Sequence, residues 1–341
     1  MKIIKIALGS IIALILVSVV GVWGYLRFSG DEPHFAGTCE VLELDGSAED
    51  ILIDRQRGFA YLSLMDRLAL AEGETGDGPP KQGRIGHLDL NADRLRVEPA
   101  LLDKPRHFRP HGMSFWYDDS GQRYLFVINH PVERGVEPEL VELFREEAPG
   151  RYRHARTFAH ELFSSPNDIV AVGPEQFYLA NDSMSEPTKL IFVDGDDVRA
   201  VADDIASGGG INASSDGNML YVAETQGQQI RVMRRNPADG SVETVDTIAV
   251  GTSPDNIDVA ADGSLWVGAH SNVLALVMHF IAGANSPSQV LRIGLDGTPQ
   301  IEEIYLNRGD EISASSVGAT YEDKLLIGSI TARKILICTM D

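Results

Sequence analysis

Three two-residue acid or amide pairs recur at one place in a repeating unit: Glu49-Asp50, Asn167-Asp168 and Asp255-Asn256. About eleven residues after each comes an aromatic-aliphatic-small triplet: Tyr61-Leu62-Ser63, Tyr178-Leu179-Ala180 and Trp266-Val267-Gly268. Equivalent positions of a cyclic repeat lie around one axis, so the six oxygen-bearing side chains of these pairs would meet there. Carboxylates and amides offer a metal only oxygen, and calcium takes about six to eight such ligands. Zinc would ask for cysteine or histidine in a tighter group. Without a cation, several like charges on one axis would repel. Any single pair has an ordinary reading as turn residues that satisfy backbone groups. Three pairs in register point instead to a metal. No DxDxDG loop occurs, so the site is not an EF-hand.

Two histidines stand beside this ring. His111, in Arg109-Pro110-His111-Gly112, occupies the same position in its unit as the acidic pairs. His130 follows in Val127-Ile128-Asn129-His130-Pro131. A neutral imidazole near a metal can serve as a general base on water. The metal would polarise a carbonyl and stabilise the developing oxyanion. Together these parts suit hydrolysis of an ester or a lactone. They also allow a metal-stapled propeller that binds a ligand or partner without turning it over.

The elements that would position these groups are short strands. The triplet has six copies, the others being Phe126-Val127-Ile128, Tyr221-Val222-Ala223 and Leu326-Ile327-Gly328. Turn signals precede several of them, such as Asp119-Ser120-Gly121, Asp216-Gly217 and Asp262-Gly263. Between copies lie β-branched runs broken by Gly, Asp, Asn and Pro, the pattern of antiparallel strands with tight turns. Six units of about four strands predict a six-bladed β-propeller. Its lead-in segments would be Glu49-Asp50, His111-Gly112, Asn167-Asp168, Gly208 to Asn212, Asp255-Asn256 and Ser315-Ser316.

Composition sets the outer limits. The chain has 341 residues, with 50 acidic against 29 basic side chains and a net charge of −21. That balance argues against a nucleic-acid partner, which needs a basic footprint. From Ile6 to Leu26 no residue is charged, a run of roughly 31 Å as a helix, enough to cross a bilayer. Lys2 and Lys5 before it favour a cytoplasmic start with the rest translocated. Residues 1–30 are therefore expected to be a transmembrane signal-anchor helix, with a cleaved signal peptide as the competing reading. Residues 31–341 would form the propeller, facing the periplasm or the extracellular space. Cys39 and Cys338, the two cysteines of the chain, open and nearly close that domain. A disulfide between them would lock the ring where its ends meet, with two unrelated buried thiols as the competing reading. Two segments break the pattern. Ala71 to Arg84 is rich in Gly, Pro and charge and reads as a mobile surface loop. Val273 to Ile281 is strongly apolar and reads as a buried strand or helix, or else as a lid or pocket wall facing the membrane.

From about Cys39 to the C-terminus the chain resembles the paraoxonase/arylesterase family. The resemblance is carried by Asn167 to Glu175 with Phe177-Tyr178, by Val127 to Pro131, by Asp255-Asn256-Ile257 with Leu265 to Gly268, and by Lys324 to Gly328. It implies a six-bladed propeller with two axial calcium ions, a disulfide joining the ends, and lactonase and aryl-esterase activity on hydrophobic substrates. Residue by residue, it implies that Glu49, Asn167, Asp255 and Asn256 bind a catalytic calcium. Asp50 and Asp168, with the backbone carbonyl of Met113, would bind a structural one. His111 and His130 would be a catalytic dyad, His270 a further pocket histidine, and Cys39 and Cys338 the disulfide. An uncleaved hydrophobic N-terminus is also a family trait. One position departs. The family carries an asparagine ligand before a Gly-Ile-Asn triplet, and here the residue before Gly210-Ile211-Asn212 is Gly209. Glycine has no side-chain oxygen, so the implied catalytic calcium site is one side-chain ligand short, and because Leu64 to Arg84 shares little with the family's mobile active-site loop, substrate choice does not transfer.

Overall fold

Six antiparallel sheets are arranged around one axis, each of four strands with one sheet extended to five. The computed structural model describes residues 32–71 and 81–341. The innermost strands of blades 1 to 6 are Ser47–Asp54, Pro110–Tyr117, Pro166–Ala171, Gly208–Ala213, Ser253–Val259 and Ser315–Tyr321. The six triplets lie in the second strands, such as Phe59–Met65 and Leu265–His270, in matching register with the first. Ile51 faces Leu62, Ile169 faces Leu179, and Ile257 faces Val267. Asp216 and Asp262 fold the first turn of their blades by accepting backbone N–H bonds from Asn218 and Ser264, both at 3.0 Å.

The hydrophobic residues do not gather at the centre. They form six clusters, one between each pair of neighbouring blades. Alternation explains this: on a pleated sheet one set of side chains faces each neighbouring blade. Leu62, Phe126, Tyr178 and Val267 are completely buried in these layers. Each such side chain contributes about 1.5–3 kcal/mol. The axis is thereby left to polar groups.

The first and last segments of the ring interlock. Gly37–Glu43 forms the outer strand of blade 6 against Lys334–Met340, with Cys39 directly opposite Cys338. A disulfide joins the two across 299 positions of sequence. His34–Phe35 adds a short fifth strand to blade 5. Closure removes the free sheet edges that an open propeller would expose. The expected anchor, residues 1–30, lies outside the described residues, as do residues 72–80 of the expected loop. Among the described residues no helix is long and apolar enough to cross a bilayer.

Two short helices sit at the ends of second strands. Helix α1 (Arg67–Ala71) follows the second strand of blade 1, and α2 (Val273–Ala282) follows that of blade 5. Asn272 caps α2 through its side chain, and Gly283 ends it in the left-handed conformation. The expectation of a buried segment is corrected here. Within α2 Ala275 is buried, while Val273, Leu274, Val277, Phe280 and Ile281 are exposed, Ile281 by 75%. Apolar side chains all round a helix do not say which side meets protein.

Candidate active site

Every blade carries a register shift near the start of its innermost strand. The shifts fall between Ala48 and Ile51, Pro110 and Met113, Pro166 and Asp168, Gly208 and Ile211, Pro254 and Ile257, and Ser315 and Val317. Glu49, Asp50, His111, Asn167, Asp255, Asn256 and Ser316 are bulged residues with polar side chains, and Gly112, Gly209 and Gly210 are bulged glycines. A bulged residue is released from ladder pairing and its side chain is re-aimed. The ring is therefore built largely on bulges, with Asp168 the member that stays paired, opposite Ala180. It needs close approach between blades: a Cβ on Gly112 would stand 2.5 Å from Asp168 Oδ1 and 2.6 Å from the Asn167 carbonyl.

Blades 1, 2, 5 and 6 meet at Glu49, which is only 2% exposed. Its Oε1 accepts from Asn256 Nδ2 at 2.8 Å, and its Oε2 lies 3.2 Å from His111 Nε2. Its backbone carbonyl accepts from Asn256 Nδ2 at 3.0 Å and from Ser316 Oγ at 2.5 Å. Deeper on the axis, Asp50 Oδ2 accepts from the Met113 N–H at 2.8 Å. Met113 thus meets Asp50 through its amide, whereas the resemblance implies a role for its carbonyl. Asp168 accepts from Ile169 N at 2.8 Å and from Ile211 N at 2.7 Å. His270 Nε2 lies 3.1 Å from Asp255 Oδ2, and both side chains are buried.

His111 Nδ1 and His130 Nε2 are 2.8 Å apart, and His130 Nδ1 lies 2.6 Å from Glu139 Oε2. Arg134 Nε donates to the other oxygen of Glu139 at 2.9 Å. A cleft of about 460 Å³ opens over these groups. Glu49, His111, Asn167 and Asp255 line it on one side, with apolar Leu70 and Phe280 among its other walls.

A model of the family described as Arylesterase matches residues 69–340. The chain belongs to the arylesterase family. Serum paraoxonase/arylesterase 2 of Homo sapiens is 32% identical over 331 residues, covering 90% of this chain and 89% of that protein. Serum paraoxonase/lactonase 3 of Rattus norvegicus is 32% identical over 333 residues, covering 91% and 90% respectively. A luciferin-regenerating enzyme of known structure shares the fold, with a TM-score of 0.53 at 12% identity over 89% of this chain and 95% of its own. As a member of its family the protein is a carboxylic ester hydrolase of the esterase/lactonase kind.

The electrostatics of this arylesterase site follow from burial. Burial raises Asp50 and Asp168 well above the usual carboxylate range, and the Glu49 charge on the first and the Asp50 charge on the second add to it. Burial likewise raises Asp255, against the opposing hydrogen bond from His270. Glu49 behaves differently. Burial pushes it upward, but His111, Arg67 and Asn256 outweigh that and hold it at about 2. His130 is held well below its ordinary value by burial, with the His111 and Arg134 charges adding to the effect. It is therefore neutral at neutral pH.

Do these residues suit a hard cation? Asn167 Oδ1 and Asn256 Oδ1 are buried with no hydrogen-bond partner, and Glu49 Oε2 is buried with only the His111 imidazole, 3.2 Å away, beside it. Unsatisfied buried oxygens are costly, and a bound cation would satisfy all three. Among the described residues no three His, Cys, Asp or Glu side chains alone make a metal site. The converging set is mixed, with two asparagine amides, and all its donors are oxygen. That chemistry suits calcium.

Two residues beside this candidate site carry no repeat signal in the sequence. Glu139 is 5% exposed and comes from the rim just before the third strand of blade 2 (Leu140–Ala148), where no repeat signal marks it. Arg67, in α1, donates to the Pro110 carbonyl at 2.7 Å and lies near the acidic ring. Its one sequence signal is a cation right after the second strand of blade 1.

Proposed function

We propose that this arylesterase is a calcium-dependent hydrolase of lactones or aryl esters. The observation that carries this reading is the pair of buried, unpartnered amide oxygens on Asn167 and Asn256 with the buried Glu49 carboxylate, beside the His111–His130 pair. In this reading Glu49, Asn167, Asp255 and Asn256 hold one calcium ion. Asp50, Asp168 and the Met113 carbonyl hold a second. When bound, calcium supplies polarisation of the substrate carbonyl and stabilises charge on its oxygen. The apolar walls Leu70 and Phe280 receive the hydrophobic part of the substrate.

The proton path follows from the hydrogen bonds. Glu139, as a carboxylate, accepts from His130 Nδ1–H. That leaves His130 Nε2 to accept from His111 Nδ1–H. With a cation on Glu49 in place of the His111 charge that otherwise faces that carboxylate, His111 Nε2 is left unprotonated toward the ring to take a proton from the attacking water. His130 and Glu139 steady the imidazolium that results. His270 holds Asp255 at its place in the pocket. Residues 1–30 act as a membrane anchor, and residues 31–341 as the hydrolase domain facing the periplasm or extracellular space. The Cys39–Cys338 bond supports that side of the membrane, because disulfides persist in oxidising compartments.

The test is product release from a panel of lactones and aryl esters, with His111→Gln beside the wild type. Turnover that falls about 10²–10⁴-fold in the variant supports the reading. A folded, calcium-sensitive protein that turns over no member of the panel would make it a binding propeller instead.

A further inference from the structure

The ring of bulges lacks a side chain in blade 4, and a neighbouring residue stands in that space. The other five blades bring Glu49, His111, Asn167, Asp255 with Asn256, and Ser316 to their bulges. Blade 4 brings Gly209 and Gly210. A Cβ on Gly209 would lie 2.5 Å from Thr225 Oγ1 and 3.4 Å from the Asp255 Cα. An amide side chain at 209 would hold its own oxygen about 2.4 Å from that Cβ, by ordinary amide bond lengths. Thr225 Oγ1 therefore lies about as far from that Cβ position as the oxygen of an amide side chain rooted there would.

Thr225 is well fixed for this. It directly follows the second strand of blade 4 (Met219–Glu224), and its N–H donates to the Ser207 carbonyl at 2.9 Å. Its hydroxyl donates to the Pro254 carbonyl, one residue before Asp255, at 2.9 Å. A hydroxyl has one proton and two lone pairs. With the proton committed to Pro254, the lone pairs are what it can turn to a cation.

We infer that Thr225 Oγ is the blade-4 oxygen of the cation site built by Glu49, Asn167, Asp255 and Asn256, and that position 209 is glycine because Thr225 fills its side-chain space. The inference rests on the calcium reading above. The two are separated by measuring calcium affinity of the full chain, stripped of metal, by competition with a chromophoric chelator. Thr225→Val is expected to weaken one class of calcium site by about tenfold or more and leave the other class unchanged, while Thr225→Ser keeps both. Gly209→Asn alone crowds Thr225 and lowers the melting temperature. Gly209→Asn combined with Thr225→Ala returns the lost affinity, because the amide then supplies the oxygen. Wild type that binds no calcium overturns the calcium reading and this inference with it. Wild type that binds calcium as tightly as Thr225→Val overturns the inference alone. Weakened binding in Thr225→Val with no recovery in the double variant assigns Thr225 to holding Pro254, and also overturns it.

Discussion

His130 Nδ1 stands 2.6 Å from Glu139 Oε2, with Glu139 buried and its second oxygen taken by Arg134. That contact extends the histidine pair into a line of three: Glu139, His130, His111. At the far end, His111 Nε2 faces the Glu49 carboxylate at 3.2 Å. A hydrogen bond at one nitrogen of an imidazole decides what the other nitrogen can do. Glu139 thus acts on the ring through two histidines without touching the cleft's reacting atoms, as a positioning residue.

Glu139→Gln is expected to lower kcat by about 10–100-fold, the scale seen for groups that orient a working histidine. KM and calcium affinity should hold. Removing a negative charge near His130 disfavours its charged form, so the acid limb of the pH–rate profile should move to lower pH. A variant with wild-type kcat and an unmoved profile would remove Glu139 from the line.

How much of this site could be read beforehand depended on whether a residue belonged to the repeat. Glu49, Asn167 and Asp255 repeat because each sits on the bulge of an equivalent strand. Glu139 and Arg67 come from connections whose lengths differ from blade to blade, so spacing carries no trace of them. The fold was legible for the same reason, since one triplet marks every second strand. The run from Val273 to Ile281 allows a buried segment and a pocket wall alike, because apolarity reports a preference and not a location; its helix is largely exposed and Phe280 lines the cleft.

The metal-stripped protein should be more stable in mild acid than at pH 8. Asp50 and Asp168 have folded pKa values raised above their unfolded ones. Such groups contribute stability that is present below the unfolded pKa and lost as pH rises through the raised folded pKa. In chelator, the melting temperature should therefore rise by several degrees from pH 8 to pH 5, and saturating calcium should flatten this trend. Asp168→Asn should also flatten it. Scanning fluorimetry across that range checks the sign, and a melting temperature in chelator that falls toward pH 5 would contradict it.

Opening the Cys39–Cys338 bond should cost about 2–5 kcal/mol, seen as a lower melting temperature under reductant or in Cys39→Ser/Cys338→Ser. The bond sits on the outer strands of blade 6, away from the axis. Turnover per folded molecule should be unchanged below the transition. A loss of kcat matching the loss of stability would mean that the closure also shapes the site.

Phe280→Ala should raise KM for apolar substrates more than for small polar ones, with kcat little changed. The side chain lines the cleft from α2 and is 41% exposed, so its removal leaves the fold intact. Truncating one such wall is worth about 1–3 kcal/mol of substrate binding, or roughly 10- to 200-fold. Equal KM shifts across the panel would speak against an apolar subsite.

The most direct test is calcium return to the stripped enzyme. Calcium is stripped in mild acid, where the metal-free protein is most stable, and turnover of a lactone or aryl ester is then measured at neutral pH on folded protein while calcium is titrated back. Turnover should be absent without calcium and rise to saturation as the ion fills the site around Glu49, Asn167, Asp255 and Asn256. Hydrolysis that proceeds at full rate in excess chelator would contradict a role for the cation in the reaction.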